Sequence, residues 1–290
     1  MRPDRGAVAD RGELADIIET YVDRIDGRVG VVVGFPRGPA AFDPVYRWNG
    51  DSRFASASVI KLPILYALYR RYDGRLIDLS QRRTIAPRNR VGGSGVFHLL
   101  SDTDLSIEDL AYAMIATSDN AATNELIDLL GMDYIESTVR DLGLWDTRLR
   151  RKMMATADDN ELDVPTAVPE GEPSNTTSPD DCIRLLSDVL HRDSLSPEAY
   201  ERMMEPLREQ KRTMLFARYL DPGAELAHKT GRLSDAALDT GFIPAAEPDD
   251  SLVFAVFTDQ LDDWGDGADA IAEIGDAVFL WFENYSEQVG

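Results

Sequence analysis

Strand-like sequence is confined to the two ends of this 290-residue chain, and this distribution restricts its fold more than any other feature. Near the N-terminus, β-branched residues fill 28–35, and a second short strand is predicted over 45–48. Near the C-terminus, strands are predicted over 225–230, 237–243 and 252–258, with short connections that favour antiparallel pairing. We therefore expect one antiparallel sheet of about five strands, built from both ends of the chain.

The long middle of the chain is patterned for helices, because its apolar residues recur at intervals of three and four. Such segments lie over 106–116, 121–130, 133–142, 179–190 and 197–219. Further helices are predicted near the two termini, over 13–25 and 266–285. The chain is therefore assigned to the α+β class, with an antiparallel sheet flanked by helices and an inserted all-helical domain.

The same pattern predicts how the chain divides into domains. Residues 1–57 and 220–290 are expected to form an α/β sheet domain, and residues 58–219 an all-helical domain. The active site is expected at the junction of the two.

Ser58 and Lys61 stand at the start of an apolar helix that is predicted to be buried. A spacing of three residues places both side chains on one helix face. A hydroxyl beside an amine combines a nucleophile with a base. Alone, this pair is a weak signal, because a helix cap with a solvated lysine has the same sequence.

Two further short motifs strengthen the signal. Ser118-Asp-Asn120 follows in a predicted loop between helices, and Lys229-Thr-Gly231 follows at the end of a predicted strand. In this order and these contexts, the three motifs are those of class A β-lactamases and penicillin-binding proteins. The chain resembles the serine β-lactamase/penicillin-binding protein superfamily from about residue 30 to residue 258, and is most similar to its class A branch. The resemblance implies a β-lactamase/transpeptidase-like fold.

The resemblance also implies roles for the first two motifs. Ser58 is expected to be the acylated nucleophile and Lys61 its base, which requires a neutral amine. Ser118 is expected to pass a proton to the leaving group, and Asn120 to hydrogen-bond the substrate amide and hold Lys61. Asp119 is expected to be structural.

The third motif is expected to bind substrate. Lys229 supplies positive charge for an anionic substrate group, with the Thr230 hydroxyl beside it and Gly231 completing the binding strand. The oxyanion hole is expected to consist of two backbone N–H groups, those of Ser58 and Arg232. We predict no metal and no cofactor.

One departure from the family concerns deacylation. Class A enzymes carry a Glu-x-x-Leu-Asn element after the second motif, whose glutamate activates the deacylating water. In the register of this chain, Met153 occupies the place of the glutamate and Ala157 that of the asparagine. A thioether cannot take a proton. Asp158, Asp159 and Glu161 are alternative bases, although a solvated acidic loop is the preferred interpretation.

A second departure concerns substrate binding. Many class A enzymes carry an arginine on the strand after the third motif, where it binds the β-lactam carboxylate. The corresponding strand here offers Thr240. Arg232 is a candidate to replace the missing arginine.

The charge of the chain restricts its partners. A formal net charge of −22 argues against binding to nucleic acid or to an anionic membrane surface, so the expected partner is a small-molecule acyl substrate. Only 4 of the 30 basic residues are lysines, which favours adaptation to high salt over an ordinary acidic surface. The N-terminal segment lacks an apolar signal region, so a cytoplasmic location is expected. The oligomeric state is not predicted.

We therefore predict a serine hydrolase that is acylated at Ser58 by an amide or ester and deacylates slowly. One alternative is a genuine β-lactamase that uses another base. A second is an acyl-binding or penicillin-binding protein without turnover, and a third is a structural relic without a reactive serine.

Overall fold

The structure is a computed structural model that describes residues 6–38, 41–154, 175–192 and 194–289. Within these ranges the chain forms nine strands: β1 (Arg28–Pro36), β2 (Phe42–Trp48), β3 (Phe54–Ala55), β4 (Arg82–Thr84), β5 (Asp104–Ser106), β6 (Thr176–Thr177), β7 (Ala227–Leu233), β8 (Ala236–Ile243) and β9 (Leu252–Asp259). The helices of these ranges are α1 (Arg11–Val22), α2 (Lys61–Asp73), α3 (Ile107–Ala116), α4 (Asn120–Leu130), α5 (Met132–Asp141), α6 (Pro179–His191), α7 (Pro197–Arg208) and α8 (Trp264–Val289).

Five of the strands form an antiparallel sheet in the order β2-β1-β9-β8-β7. Its members come from both ends of the chain, which confirms the predicted α+β architecture. Strand β9 lies in the centre of the sheet, where it pairs with β1 on one side and with β8 on the other. The division at residues 57/58 and 219/220 stays a prediction.

Along the central strands, apolar side chains point alternately to the two faces of the sheet, so both faces must be covered. On β1, Val31 and Val33 belong to the core beneath α1 and α8, whereas Val32 belongs to the core of the middle helices. On β9, Phe254 and Phe257 divide in the same way. Because side chains alternate along a strand, one short apolar segment contributes to both cores.

Helix α2 lies at the centre of the helical layer, in contact with α3, α4, α5 and α7. All residues from Lys61 to Tyr69 are buried. A helix that is apolar on every side is stable only when it is surrounded, which explains the burial of its whole first half. This arrangement holds the start of α2 rigidly beside strand β7.

Three features of the middle segment differ from the sequence predictions. Two small strand pairs, β3 with β6 and β4 with β5, occur where no strand was predicted. The helix predicted from 197 ends at Arg208, and a separate 3-10 turn spans Phe216–Tyr219.

In the part of the chain that is described, no helix is long and apolar enough to cross a membrane.

Candidate active site

Ser58 lies in a tight 3-10 turn, Ala57–Ile60, that leads directly into α2. Ala57 has a φ of 44°, in the left-handed region that is costly for a residue with a side chain. Strand β7 packs closely on this turn, since a Cβ added at Gly231 would stand 3.1 Å from Ala57 Cβ and 3.3 Å from Ser56 O. The third motif therefore fixes the backbone that presents Ser58.

Lys61 is completely buried, and its ammonium group contacts the second motif. Its Nζ donates to the Ser118 carbonyl at 2.7 Å, to Ser118 Oγ at 3.1 Å and to Asn120 Oδ1 at 2.8 Å. Burial, and then the nearby charge of Lys229, hold the pKa of Lys61 well below its ordinary value. A depressed pKa favours the neutral amine, which can accept a proton.

Lys229 is also completely buried, and it shares a hydrogen-bond partner with Lys61. Its Nζ donates to Ser118 Oγ at 3.2 Å and to the Thr230 carbonyl at 2.8 Å. Burial lowers the pKa of Lys229 to about 7, although the charge of Asp239 acts in the opposite direction. The Ser118 hydroxyl therefore lies between two amines and can relay a proton from one to the other.

Asp119 has the structural part that was predicted for it. Its Oδ1 accepts a hydrogen bond from Ala122 N at 2.9 Å and caps α4. Its Oδ2 accepts from Val96 N at 2.7 Å and Phe97 N at 2.9 Å. The carboxylate thus ties the loop around residue 95 to the second motif.

A cavity of about 620 Å³ opens beside Ser58, within the size range of small-molecule sites. It brings together five residues that were predicted from the sequence besides Ser58: Ser118, Asn120, Thr230, Gly231 and Arg232. The remaining described residues of its lining are Ala57, Gly93, Ser94, Met153, Met154, Lys211, Arg212, Met214, Leu215, Leu233, Ser234 and Trp264. None of the described residues of this lining carries a carboxylate.

Met153, which the sequence register assigns to the position of the family's glutamate, lines the cavity together with Met154. Met153 is held through its backbone, because Asn124 Oδ1 accepts from its N–H at 2.8 Å and Asn124 Nδ2 donates to its carbonyl at 3.1 Å. Lys152 anchors the same segment through Asn89 at 3.0 Å and an ion pair with Asp128. The segment is therefore positioned firmly, with Met153 packed against the core of the middle helices and Met154 beside Gly93 of the cavity lining.

The other acidic candidates cannot be compared with this wall. Asp158, Asp159 and Glu161, together with Ala157, lie outside the described residues.

Thr240 does not reach the cavity. It is buried, and its hydroxyl donates to the Phe254 carbonyl at 2.8 Å. Arg232 does line the cavity, but its guanidinium lies over the ring of Trp264, with Cζ 4.0 Å from the ring centroid. Arg212 is another cation of the lining, and it could not be identified from the sequence because it belongs to no motif.

The fold and the three motifs that meet at this cavity define the class of serine β-lactamases and penicillin-binding proteins. A model of the Beta-lactamase enzyme family matches residues 13–282. The chain therefore belongs to this family, as its motifs indicated.

Solved structures and a characterised relative agree with this assignment. The β-lactamase from Sphaerobacter thermophilus DSM 20745 has 33% sequence identity and a TM-score of 0.80, over 94% of this chain and 98% of that one. PBP-A has 25% identity and a TM-score of 0.78, over 96% and 99%. Beta-lactamase CARB-4 of Pseudomonas aeruginosa is 24% identical over 246 residues, or 83% of this chain and 81% of that protein.

Proposed function

We propose that this protein is a serine hydrolase whose Ser58 is acylated by an amide or ester that bears an anionic group. The observation that carries this proposal is the contact of buried Lys61 with Ser118 and Asn120, beside a cavity that Ser58 lines. Burial, together with the charge of Lys229, lowers the pKa of Lys61 and so favours the neutral amine that a general base requires. Lys229 lies on the other side of the Ser118 hydroxyl, where its charge can attract the anionic group of a substrate.

The proposed acylation proceeds through one tetrahedral intermediate. Neutral Lys61 takes the proton of Ser58 as Oγ attacks the carbonyl carbon of the substrate. The negative charge on the carbonyl oxygen is stabilised by the backbone N–H groups of Ser58 and Arg232. As the intermediate collapses, Ser118 gives its proton to the leaving nitrogen or oxygen and recovers one from the lysine pair.

The second half of the reaction lacks its usual base. Hydrolysis of the acyl-enzyme requires a group that takes a proton from water, and in this family a glutamate does so. In the sequence register of this chain Met153 takes that position, and a thioether cannot accept a proton. The described lining of the cavity offers no carboxylate. We therefore infer that the acyl-enzyme persists and that its hydrolysis is slow, with Lys61 as the remaining base of the site.

A second candidate function is efficient β-lactam hydrolysis. Two of the proteins that this chain resembles are themselves named β-lactamases, which favours this candidate. The absence of a carboxylate from the described lining of the cavity favours the opposite outcome, in which penicillin binds covalently and is released slowly. The two candidates differ only in the lifetime of the adduct.

Labelling with a fluorescent penicillin tests the proposed nucleophile. Wild-type protein, Ser58→Ala and Ser234→Ala are incubated with the probe and examined on a denaturing gel. Ser234 is a matched control, because it is another serine of the same cavity. We expect labelling of the wild type and of Ser234→Ala, and none of Ser58→Ala. Equal labelling of Ser58→Ala would show that another residue is acylated.

Sustained turnover of a chromogenic cephalosporin separates the two candidates. If one equivalent of cephalosporin per chain reacts and further turnover is slow, the proposal is supported. Rapid turnover that is lost in Ser58→Ala supports an efficient β-lactamase. If neither a penicillin nor a fluorophosphonate labels the protein, the serine is not reactive.

A further inference from the structure

Arg212 projects into the cavity from a segment that is anchored beside the second motif. Its neighbours hold the end of α3, since Lys211 N donates to the Ala116 carbonyl at 2.9 Å and Gln210 Nε2 to the Ile115 carbonyl at 3.0 Å. The Arg212 Nη2 atom donates to Ser94 Oγ at 2.7 Å, on a different loop of the cavity wall. The guanidinium is thus aimed at the cavity by a backbone with fixed contacts.

The positive charge of Arg212 has no carboxylate to balance it among the described residues. Its neighbour Lys211 pairs with Glu209 at 2.5 Å, whereas the recorded side-chain partner of Arg212 is the neutral Ser94 hydroxyl. In a chain with 52 acidic and 30 basic residues, a guanidinium at a cavity whose described lining contains no carboxylate is a marked local exception. The charge also acts on the buried lysines, since it lowers the pKa of both Lys61 and Lys229.

We propose that Arg212 binds the carboxylate of the acyl substrate and so replaces the strand arginine that this chain lacks. The inference rests on the proposed function. A guanidinium offers five N–H donors in a planar fork, of which the Ser94 hydroxyl occupies one, so a carboxylate can bind through two parallel hydrogen bonds. Arg212 and Lys229 together then surround the substrate anion with positive charge.

The other candidates for this contact are less suitable. The Thr240 hydroxyl is buried and already donates to Phe254. The guanidinium of Arg232 is stacked on Trp264, where it is held by the face of the ring. Arg212 is exposed, lies at the cavity and donates to a neutral hydroxyl, which leaves its charge available to an anion.

A pair of substrates that differ only in charge tests the proposal. Second-order acylation rate constants are measured by intact mass for penicillin G and its neutral methyl ester. In Arg212→Gln we expect acylation by penicillin G to fall by about 10- to 100-fold, the range of a hydrogen bond to a charged group, and acylation by the methyl ester to change by less than about threefold. In Arg212→Lys, which keeps the charge but loses the fork, we expect an intermediate loss.

Arg24→Gln is the matched control, because it removes one exposed arginine from the turn after α1. It is expected to leave both rate constants within about twofold of wild type. An equal fall for the two substrates in Arg212→Gln would show that Arg212 only supports the loop through Ser94. An unchanged rate constant for penicillin G would equally overturn the proposal.

Binding to Ser58→Ala separates this inference from the proposed acylation. Calorimetry compares the affinity of penicillin G with that of its methyl ester, with and without Arg212→Gln. The proposal predicts that Ser58→Ala prefers the free acid and that the added Arg212→Gln removes the preference, even if the wild type forms no adduct. Equal affinities in Ser58→Ala, or a preference that survives Arg212→Gln, would contradict it.

Discussion

Two walls of the same cavity are both held by several hydrogen bonds, but their side chains differ in chemistry. On one wall, buried Lys61 and Lys229 meet at the Ser118 hydroxyl. On the other, Asn124 makes two hydrogen bonds to the backbone of Met153, and Lys152 pairs with Asp128 just before it. The second wall therefore differs from the first in the chemistry of its side chain, whereas its backbone is held in place by comparable contacts. On the register that we propose, a firmly held position carries a thioether, which cannot act as a base.

The two walls also differ in electrostatics. The wall with the lysines concentrates positive charge, and Arg212 adds to it. Behind Met153 the charges are paired, because Lys152 faces Asp128. The first wall is therefore suited to take up an anion and to hold a neutral amine, which are the two requirements of the proposed acylation.

The largest expected effect comes from removal of the base on the first wall. Lys61→Ala should lower the rate constant for acylation by penicillin G by about 10²- to 10⁴-fold, the usual contribution of a positioned general base. The measurement is the growth of the adduct by intact mass. Thermal unfolding of the variant serves as the control for folding. Acylation at the wild-type rate in a folded variant would mean that another group activates Ser58.

The next largest effect should come from giving the second wall its missing base. Met153→Glu is expected to speed hydrolysis of the acyl-enzyme by up to about 10²-fold, at the lower end of the general-base range because the water site is not otherwise optimised. The decay of a preformed penicillin adduct is followed over time. Met153→Gln is the uncharged control, and Met154→Glu places the same carboxylate one residue further on.

The same variants test whether the two walls differ because the second lacks a base. Decay that is equally fast in Met153→Gln would show that loss of the methionine matters and not gain of a base. If Met154→Glu were the faster variant, our assignment of the register would be wrong.

The buried lysine of the third motif should make stability depend on pH. The folded-state pKa of Lys229 is about 7, below the value near 10.4 of an unfolded lysine. Between these values the unfolded chain binds the extra proton, so stability should rise with pH, by about 1 kcal/mol per pH unit. Lys61 has a shift of the same sign and contributes in the same direction.

Lys229→Met isolates the contribution of this side chain. The free energy of unfolding in urea is measured at several values from pH 7 to pH 9 for both proteins. The wild type should gain about 2 kcal/mol relative to the variant over this range, and the variant should be the more stable protein near neutral pH. A constant difference between the two curves would show that Lys229 titrates normally.

The smallest expected effect concerns the hydrogen bonds that hold the second wall. Asn124→Ala removes both contacts to Met153 and should lower the free energy of unfolding by about 1–2 kcal/mol. Combined with Met153→Glu, it should also remove most of the gain in hydrolysis, since the new carboxylate would no longer be positioned. Full hydrolysis in the double variant would mean that the backbone of this wall need not be fixed.

Most of the sheet and most of the helices could be predicted because their signals are periodic. The β-branched segments at 28–35 and 252–258 lie in the sheet, and the apolar run after Lys61 forms the buried helix. The meeting of three motifs at one cavity could be predicted only from their order and the family resemblance. Neither periodicity nor spacing alone brings Ser58 to Ser118.

Other features escaped prediction for physical reasons. Strands β4 and β5 have three residues each, too few to show an alternation. Strand β8 is buried along its whole length, and the face of the sheet that Thr240 occupies depends on a strand register that the sequence does not specify. Arg212 contacts Ser94 across 118 residues of sequence, in a segment without helical or strand pattern. Such contacts are set by the tertiary structure alone.

The central claim is that Ser58 accepts an acyl group that the protein cannot release quickly. The most direct test is an intact-mass time course of the wild-type protein with one equivalent of penicillin G, followed by peptide mapping. We predict an adduct with the mass of the whole penicillin, located on Ser58, that accumulates to one per chain and persists for hours. Hydrolysis of the penicillin without an accumulated adduct, or an adduct located on another residue, would contradict the claim.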